Sequence, residues 1–208
     1  MSGFIRGSAT DRIIRNSRCK KCWDHEEAGA TSPRQEFNAM LYDIEICRNL
    51  GCDGVVIGML TKEGSIDIIR CAQLIENAGD MSITFHRAFD RVNDPLLALE
   101  QIIELGCKRI LTSGLKPTVM EGIELLRQLV QLAGDRITIM PGSGVRSNNI
   151  IQLAETTGAK AFHSSARKNI SSKMNYLNEG MSESLSQVTL DAEEVQKIKQ
   201  NLDQFFIS

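Results

Sequence analysis

Five glycines, at positions 51, 79, 106, 134 and 158, each close an apolar helical stripe, and each is followed by a short β-branched run. Their spacings are 28, 27, 28 and 24 residues, the length of one strand-plus-helix unit. Glycine enters the left-handed conformation that ends a helix without steric cost. A helix–glycine–strand unit met five times in succession leaves few folds open. Consecutive parallel strands, each joined to the next by a crossover helix, are the simplest solution.

The units read as follows. A stripe at Phe37, Met40, Leu41, Ile44 and Leu50 precedes Gly51 and a strand over 54–60. Helices over 66–78, 95–105, 119–133 and 148–157 alternate with strands over 82–87, 109–112, 136–140 and 159–163. Asp94 before Pro95 is a helix cap with proline at the first helical position, and Ser147 or Asn148 can cap the helix that follows them. Residues 167–189 read as a polar loop. A last helix over 191–206 has Asp191 as cap and an apolar face of Val195, Ile198, Leu202 and Phe205.

Strands added side by side through right-handed crossovers place every helix on one face of the sheet. The other face is then buried only if the sheet closes, as in an eight-stranded (β/α)8 barrel. The fold class is therefore α/β of the TIM-barrel type, with a C-terminal helix. A closed barrel takes roughly 200 to 250 residues, and only five strands are legible here, so the barrel is expected to be incomplete. Residues 1–35, without sustained periodicity, read as an irregular segment preceding a partial barrel domain over 36–208. Absent strands should leave two unpaired parallel edges and exposed inner apolar side chains. A second copy, or a full-length subunit completing the sheet, would relieve both.

The formal net charge of −2 gives no general attraction to nucleic acid or to an anionic membrane, and no apolar run approaches a membrane span. Residues 1–22 carry six Lys/Arg against one acid, whereas 36–208 carry 17 basic against 22 acidic residues. The six cysteines show no dense framework, which suits reduced thiols in the cytosol. Cys52 and Cys107 precede strands and Cys47 and Cys71 belong to helices, so all four read as packing thiols.

In a parallel barrel, chemistry collects at the carboxyl ends of the strands. The second strand here ends in His86, Arg87 and, one turn on, Asp90. These are candidate catalytic groups: His86 as acid or base, Arg87 as an anion partner, and Asp90 as the partner of His86. The fourth ends in Gly142-Ser143-Gly144 before a helix, where unblocked backbone N–H groups suit an anion. Ser164, Ser165 and Arg167 close the fifth strand and can add to that cradle. Cys19, Cys22 and His25 form a C-x2-C-x2-H cluster able to hold Zn²⁺ or Cu⁺, although a structural zinc site wants a fourth ligand.

Five motifs in order carry a resemblance: Asp53–Thr61 (DGVVIGMLT), Thr84–Asp90 (TFHRAFD), Arg109–Gly114 (RILTSG), Pro141–Val145 (PGSGV) and Phe162–Arg167 (FHSSAR). From about Glu36 onward the chain resembles the CutC family of copper homeostasis proteins. The resemblance implies a (β/α)8 barrel, association with copper as Cu⁺, an oligomeric state, and a cytosolic location extended in eukaryotic forms to the nucleus. It also implies three βα units before Gly54, and copper held by cysteines on the first two strands. Residues 1–35 match none of these, so the resemblance assigns copper to no residue of this chain. Copper homeostasis is the first expectation, an enzyme acting on a small phosphorylated or anionic substrate is the second, and a truncated or spliced form without activity of its own is the third.

Overall fold

The computed structural model describes residues 4–5, 33–174, 176, 180 and 186–207. Cys19, Cys22 and His25 lie outside the described residues. After a two-residue strand β1 (Phe4–Ile5), helix α1 (Pro33–Asn49) opens on proline and carries Glu36 in its first turn and Arg48 in its last, as the helix dipole favours. Four parallel strands follow: β2 (Gly54–Ile57), β3 (Ser82–Phe85), β4 (Arg109–Thr112) and β5 (Thr138–Pro141), hydrogen-bonded in sequence order. Between them run α2 (Ile68–Ala78), α3 (Pro95–Glu104) and α4 (Ile123–Ala133). Then α5 (Ile150–Thr157) leads to β6 (Phe162–His163), joined to the sheet by a parallel bridge between Gly142 and His163. The outer side of β6 pairs antiparallel with β1, Phe4 opposite His163 and Ile5 opposite Phe162.

Sequential parallel strands with helical crossovers make this a (β/α)8-type arrangement with five βα strands in order. Successive residues of a strand face opposite ways, and the burial follows that rule. Val55, Ile57, Ile83, Phe85, Ile110, Ile139 and Phe162 join the helices in one large core, with Leu74, Leu99, Leu126, Leu129 and Leu153 fully enclosed. On the opposite, inner face, Leu111, Met140 and Ala161 form a separate cluster.

Two expectations are corrected here. The inner face is not exposed: Thr84, Leu111, Met140 and Ala161 are all buried. Nor are both sheet edges open, because β1 covers β6, while β2 remains the edge of the four-stranded sheet. The segment after β6 also differs from a polar loop. Arg167–Ile170 (β7) and Gln187–Leu190 (β8) pair antiparallel as a two-stranded ribbon before the last helix α6 (Ala192–Ile207). Gln187–Leu190 alternates polar and apolar residues over only four positions, Arg167–Ile170 does not alternate, and Val188 and Leu190 stay exposed, so the ribbon buries no apolar face.

The caps divide in the same way. Asp94 accepts the N–H groups of Leu96 and Leu97 at 3.1 and 3.0 Å, as its place before Pro95 foretold. Ser147 does not cap α5. Its N–H and hydroxyl both donate to the Glu194 carboxylate, at 2.7 and 2.8 Å, tying the β5–α5 loop to α6.

Candidate functional site

Strand β3 stops at Phe85, and the chain turns at once into a five-residue 3₁₀ turn, Arg87–Arg91. Strand alternation therefore no longer applies to His86, Arg87 and Asp90, which are placed by the turn. His86 is buried and caps that turn, its Nδ1 accepting the Ala88 N–H at 3.1 Å. An acceptor at Nδ1 puts the proton of the neutral ring on Nε2. Room for the imidazole comes from Gly58 at the end of β2, where a Cβ would lie 2.6 Å from the ring.

Asp90 is not the partner of His86. Its carboxylate, whose side chain is 8% exposed, takes the Arg87 Nε at 2.6 Å on Oδ2. On Oδ1 it receives the Thr112 hydroxyl at 2.5 Å and the backbone N–H groups of Ser113 and Leu115 at 2.9 and 3.2 Å. The Ser113 hydroxyl accepts Arg87 Nη2 at 2.7 Å and has one proton, within reach of Asp90 Oδ2 at 3.1 Å and the Lys116 carbonyl at 2.5 Å. Asp90 thus positions the start of the β4–α4 loop and holds Arg87 in one orientation. A guanidinium has five N–H donors, and two of those of Arg87 are engaged. Among the described residues its Nη1 edge has no acceptor, on a side chain 34% exposed.

The loop after β5 is built for backbone donors more than for hydroxyls. Ser143 has φ 103 and Gly144 φ 77, both in the left-handed half of the backbone map. The Ser143 hydroxyl donates to the Pro117 carbonyl at 2.8 Å, and its own carbonyl takes the Val119 N–H at 3.0 Å. This closes the β5–α5 loop on the β4–α4 loop. A Cβ at Gly142 would overlap the Leu111 Cδ1, so a side chain there requires that buried leucine to shift. The Ser164 hydroxyl, buried, donates to the Val145 carbonyl at 2.7 Å. Ser143 and Ser164 are therefore engaged within the protein, and the hydroxyl cradle expected of them is corrected to a structural role. The backbone N–H groups of Gly144 and Val145 have no acceptor among the described residues. Ser165 is half-buried beside this loop, and Arg167 lies in β7 with its carbonyl accepting Arg146 Nη2 at 2.9 Å.

Thr112 and Ser113 were not singled out as site residues by sequence reasoning. Their only signal was a pair of hydroxyl residues where β4 ends, and that becomes specific only beside Asp90.

For a metal, no group of three or more His, Cys, Asp or Glu is assembled among the described residues. The sulfur donors fall into two kinds. Burial pushes the Cys71 and Cys107 thiols up, to about 11 and about 12. Both are inert core groups. Cys47 and Cys52 are half-buried, at the amino end of β2, the far end of the sheet from Arg87. Among the described residues no helix is long and apolar enough to cross a membrane.

Comparison with known proteins agrees with this architecture. Residues 31–168 match the model of the CutC family. The family protein CutC of Parabacteroides distasonis is 52% identical over 161 residues, which is 77% of this chain and 66% of that protein. That of Chromobacterium violaceum is 49% identical over 146 residues, 70% of this chain and 59% of its own length. The crystal structure of a Streptococcus agalactiae CutC, named for copper homeostasis, has a TM-score of 0.60 at 32% identity, covering 62% of this chain and 64% of that one. The chain thus spans 59 to 66% of the length of these curated relatives. With a family model matched across five successive βα strands, the chain belongs to the CutC family.

Proposed function

We propose that this chain serves copper homeostasis in the cytosol. The match over residues 31–168 to the CutC family carries the reading, together with the likeness to a Streptococcus agalactiae protein named for that role. The test is made in cells, where no assumption about ligands is needed. In a bacterium lacking its own CutC, expression of the full chain is expected to shift growth across a range of copper concentrations relative to empty vector. Growth curves that coincide at every copper concentration would overturn the assignment.

A second reading is favoured by Arg87. Its guanidinium is anchored on one side by Asp90 and Ser113 and keeps a free edge, at the strand end where barrels of this class bind substrates. The N–H groups of Gly144 and Val145 supply a second set of donors. Together they suit a small anion, with phosphate or a phosphorylated molecule as the chemical class. A charge-assisted hydrogen bond contributes about 1.5–3 kcal/mol. Phosphate titration of Arg87→Met is therefore expected to show an affinity about ten-fold to hundred-fold weaker than the parent, with Arg87→Lys intermediate. Equal affinities in folded parent and Arg87→Met would remove Arg87 from the reading.

A further inference from the structure

Helix α1 ends in a Schellman motif, and the motif brings two thiols together. Gly51, at φ 67, is the left-handed residue just past the helix. Its N–H donates to the Arg48 carbonyl, and the Cys52 N–H reaches back to the Cys47 carbonyl, both at 3.0 Å. In this motif the side chains that flank the turn, here Cys47 and Cys52, normally meet in a hydrophobic contact. The same turn recurs at the end of α3. There the Cys107 N–H reaches the Ile102 carbonyl at 3.3 Å, and Cys107 and Ile102 are both buried in the core. At the end of α1 the aliphatic partner is replaced by a second thiol, and both residues are only half-buried.

We propose that Cys47 and Cys52 form a two-sulfur site for Cu⁺. The ligand number selects the ion. Zinc in a structural site takes four ligands in a tetrahedron, and no group of three or more His, Cys, Asp or Glu exists here among the described residues. A monovalent, soft d¹⁰ cation is satisfied by two thiolates in a near-linear arrangement, and sulfur donors select Cu⁺ over harder ions. Binding converts two thiols and one Cu⁺ into a bis-thiolate complex of net charge −1 with release of two protons, and no change of oxidation state. Burial, the neighbouring Cys52 and Asp43 all raise the Cys47 pKa. Thiolate is the form that binds, so the incoming cation displaces the thiol protons and the affinity falls as the pH falls. The site lies at the amino end of the sheet, away from Arg87 and the loop at 142–145. It deepens the copper reading by naming ligands, and it rests on that reading for its biological use.

The test uses the full chain carrying Cys19→Ser and Cys22→Ser, so that the cysteines remaining are 47, 52, 71 and 107. Cu⁺ is titrated anaerobically against a chromogenic Cu⁺ chelator, with the thiolate-to-copper charge-transfer absorption as a second readout. One Cu⁺ per chain is expected. Cys47→Ser and Cys52→Ser should each lower the affinity at least a hundred-fold and abolish the absorption band, whereas Cys71→Ala should retain both. No Cu⁺ bound by the parent, or an unchanged stoichiometry when Cys47 and Cys52 are both replaced by serine, would overturn the site. Circular dichroism checks that each variant is folded, and both substituted positions are half-exposed at a helix end. A cellular copper phenotype that persists while this titration fails would discard the site and keep the copper reading. A positive titration without a phenotype would do the reverse.

Discussion

Asp90→Ala is expected to lower the stability of this chain by about 3–5 kcal/mol. At about 2–4 °C per kcal/mol for a chain of this size, the melting temperature falls by on the order of 10 °C. The carboxylate is nearly enclosed, and it receives donors from Arg87, Thr112, Ser113 and Leu115. Removing it leaves the Arg87 Nε–H and the N–H groups of Ser113 and Leu115 without the acceptor they share. Uncompensated polar groups of this kind cost more than the hydrogen bonds they lose. Asp90→Asn keeps the shape but turns an amide NH₂ toward at least one of those donors, so it too should destabilise, by less. Urea unfolding is the measurement, with a lowered midpoint at unchanged slope as the expected result. A midpoint for Asp90→Ala equal to the parent would show that the carboxylate does not hold the β4–α4 loop.

Gly122→Ala is expected to cost about 3 kcal/mol, the upper end of what overpacking produces. Gly122 is the N-cap of α4, a position where glycine is already preferred to alanine. Its φ of −94 is open to alanine, so the larger part of the cost is steric. A Cβ at 122 would overlap the Ser113 carbonyl oxygen and come within 2.9 Å of the Gly114 Cα. The obstacle is backbone, which cannot rotate away as a side chain would. Gly134→Ala serves as the contrast. At Gly134 nothing lies within 4 Å of a Cβ, but φ 52 with ψ −131 is a backbone conformation that essentially only glycine adopts, so about 1–3 kcal/mol is lost to backbone strain alone. Both variants should lower the midpoint of chemical denaturation, and only Gly122→Ala should also weaken phosphate binding, because it moves the loop that anchors Arg87 through Ser113. A Gly122→Ala chain as stable as the parent would mean that the two loop backbones are not in contact.

Both effects arise at places that are visible in the chain only as short, unremarkable strings. The helix-ending glycines, Pro95 and Asp94 act within a few residues of themselves, so their signals survive in one dimension. Strand β4 is found at Arg109–Thr112, the span the pattern predicts, because Lys108 and Gly106 bound it locally. The β7–β8 ribbon gives little signal in the chain because its residues bury almost nothing and the alternation in Gln187–Leu190 is only four residues long. Ser147 looked like a cap, since it has the right side chain at the right offset. Its actual partner, Glu194, is 47 residues away, and no local rule can rank that partner against the helix N-terminus.

Cys47 and Cys52 are a different case. Their spacing follows from a motif six residues long that turns at Gly51, a glycine marked in the chain by its place after the helical stripe. The spacing is local and therefore legible in one dimension, unlike the contacts of Asp90 and Ser147.

What the chain determined by itself was everything governed by local sterics and burial period: five βα units, their order, the helix ends, and the CutC motifs that place His86, Arg87 and the 142–144 loop where strands end. What the tertiary structure decided was which of those groups touch. Parallel register sets Phe85 beside Ile110, and the turn that follows β3 then lays Asp90 beneath Thr112 and Ser113, 22 and 23 residues further on. That pairing gives Asp90 to Arg87, leaves His86 to cap its own turn, and engages Ser143 and Ser164 with carbonyls. The physical reason is that a carboxylate removed from water takes the strongest donors that the register brings within reach, and those donors come from other strands.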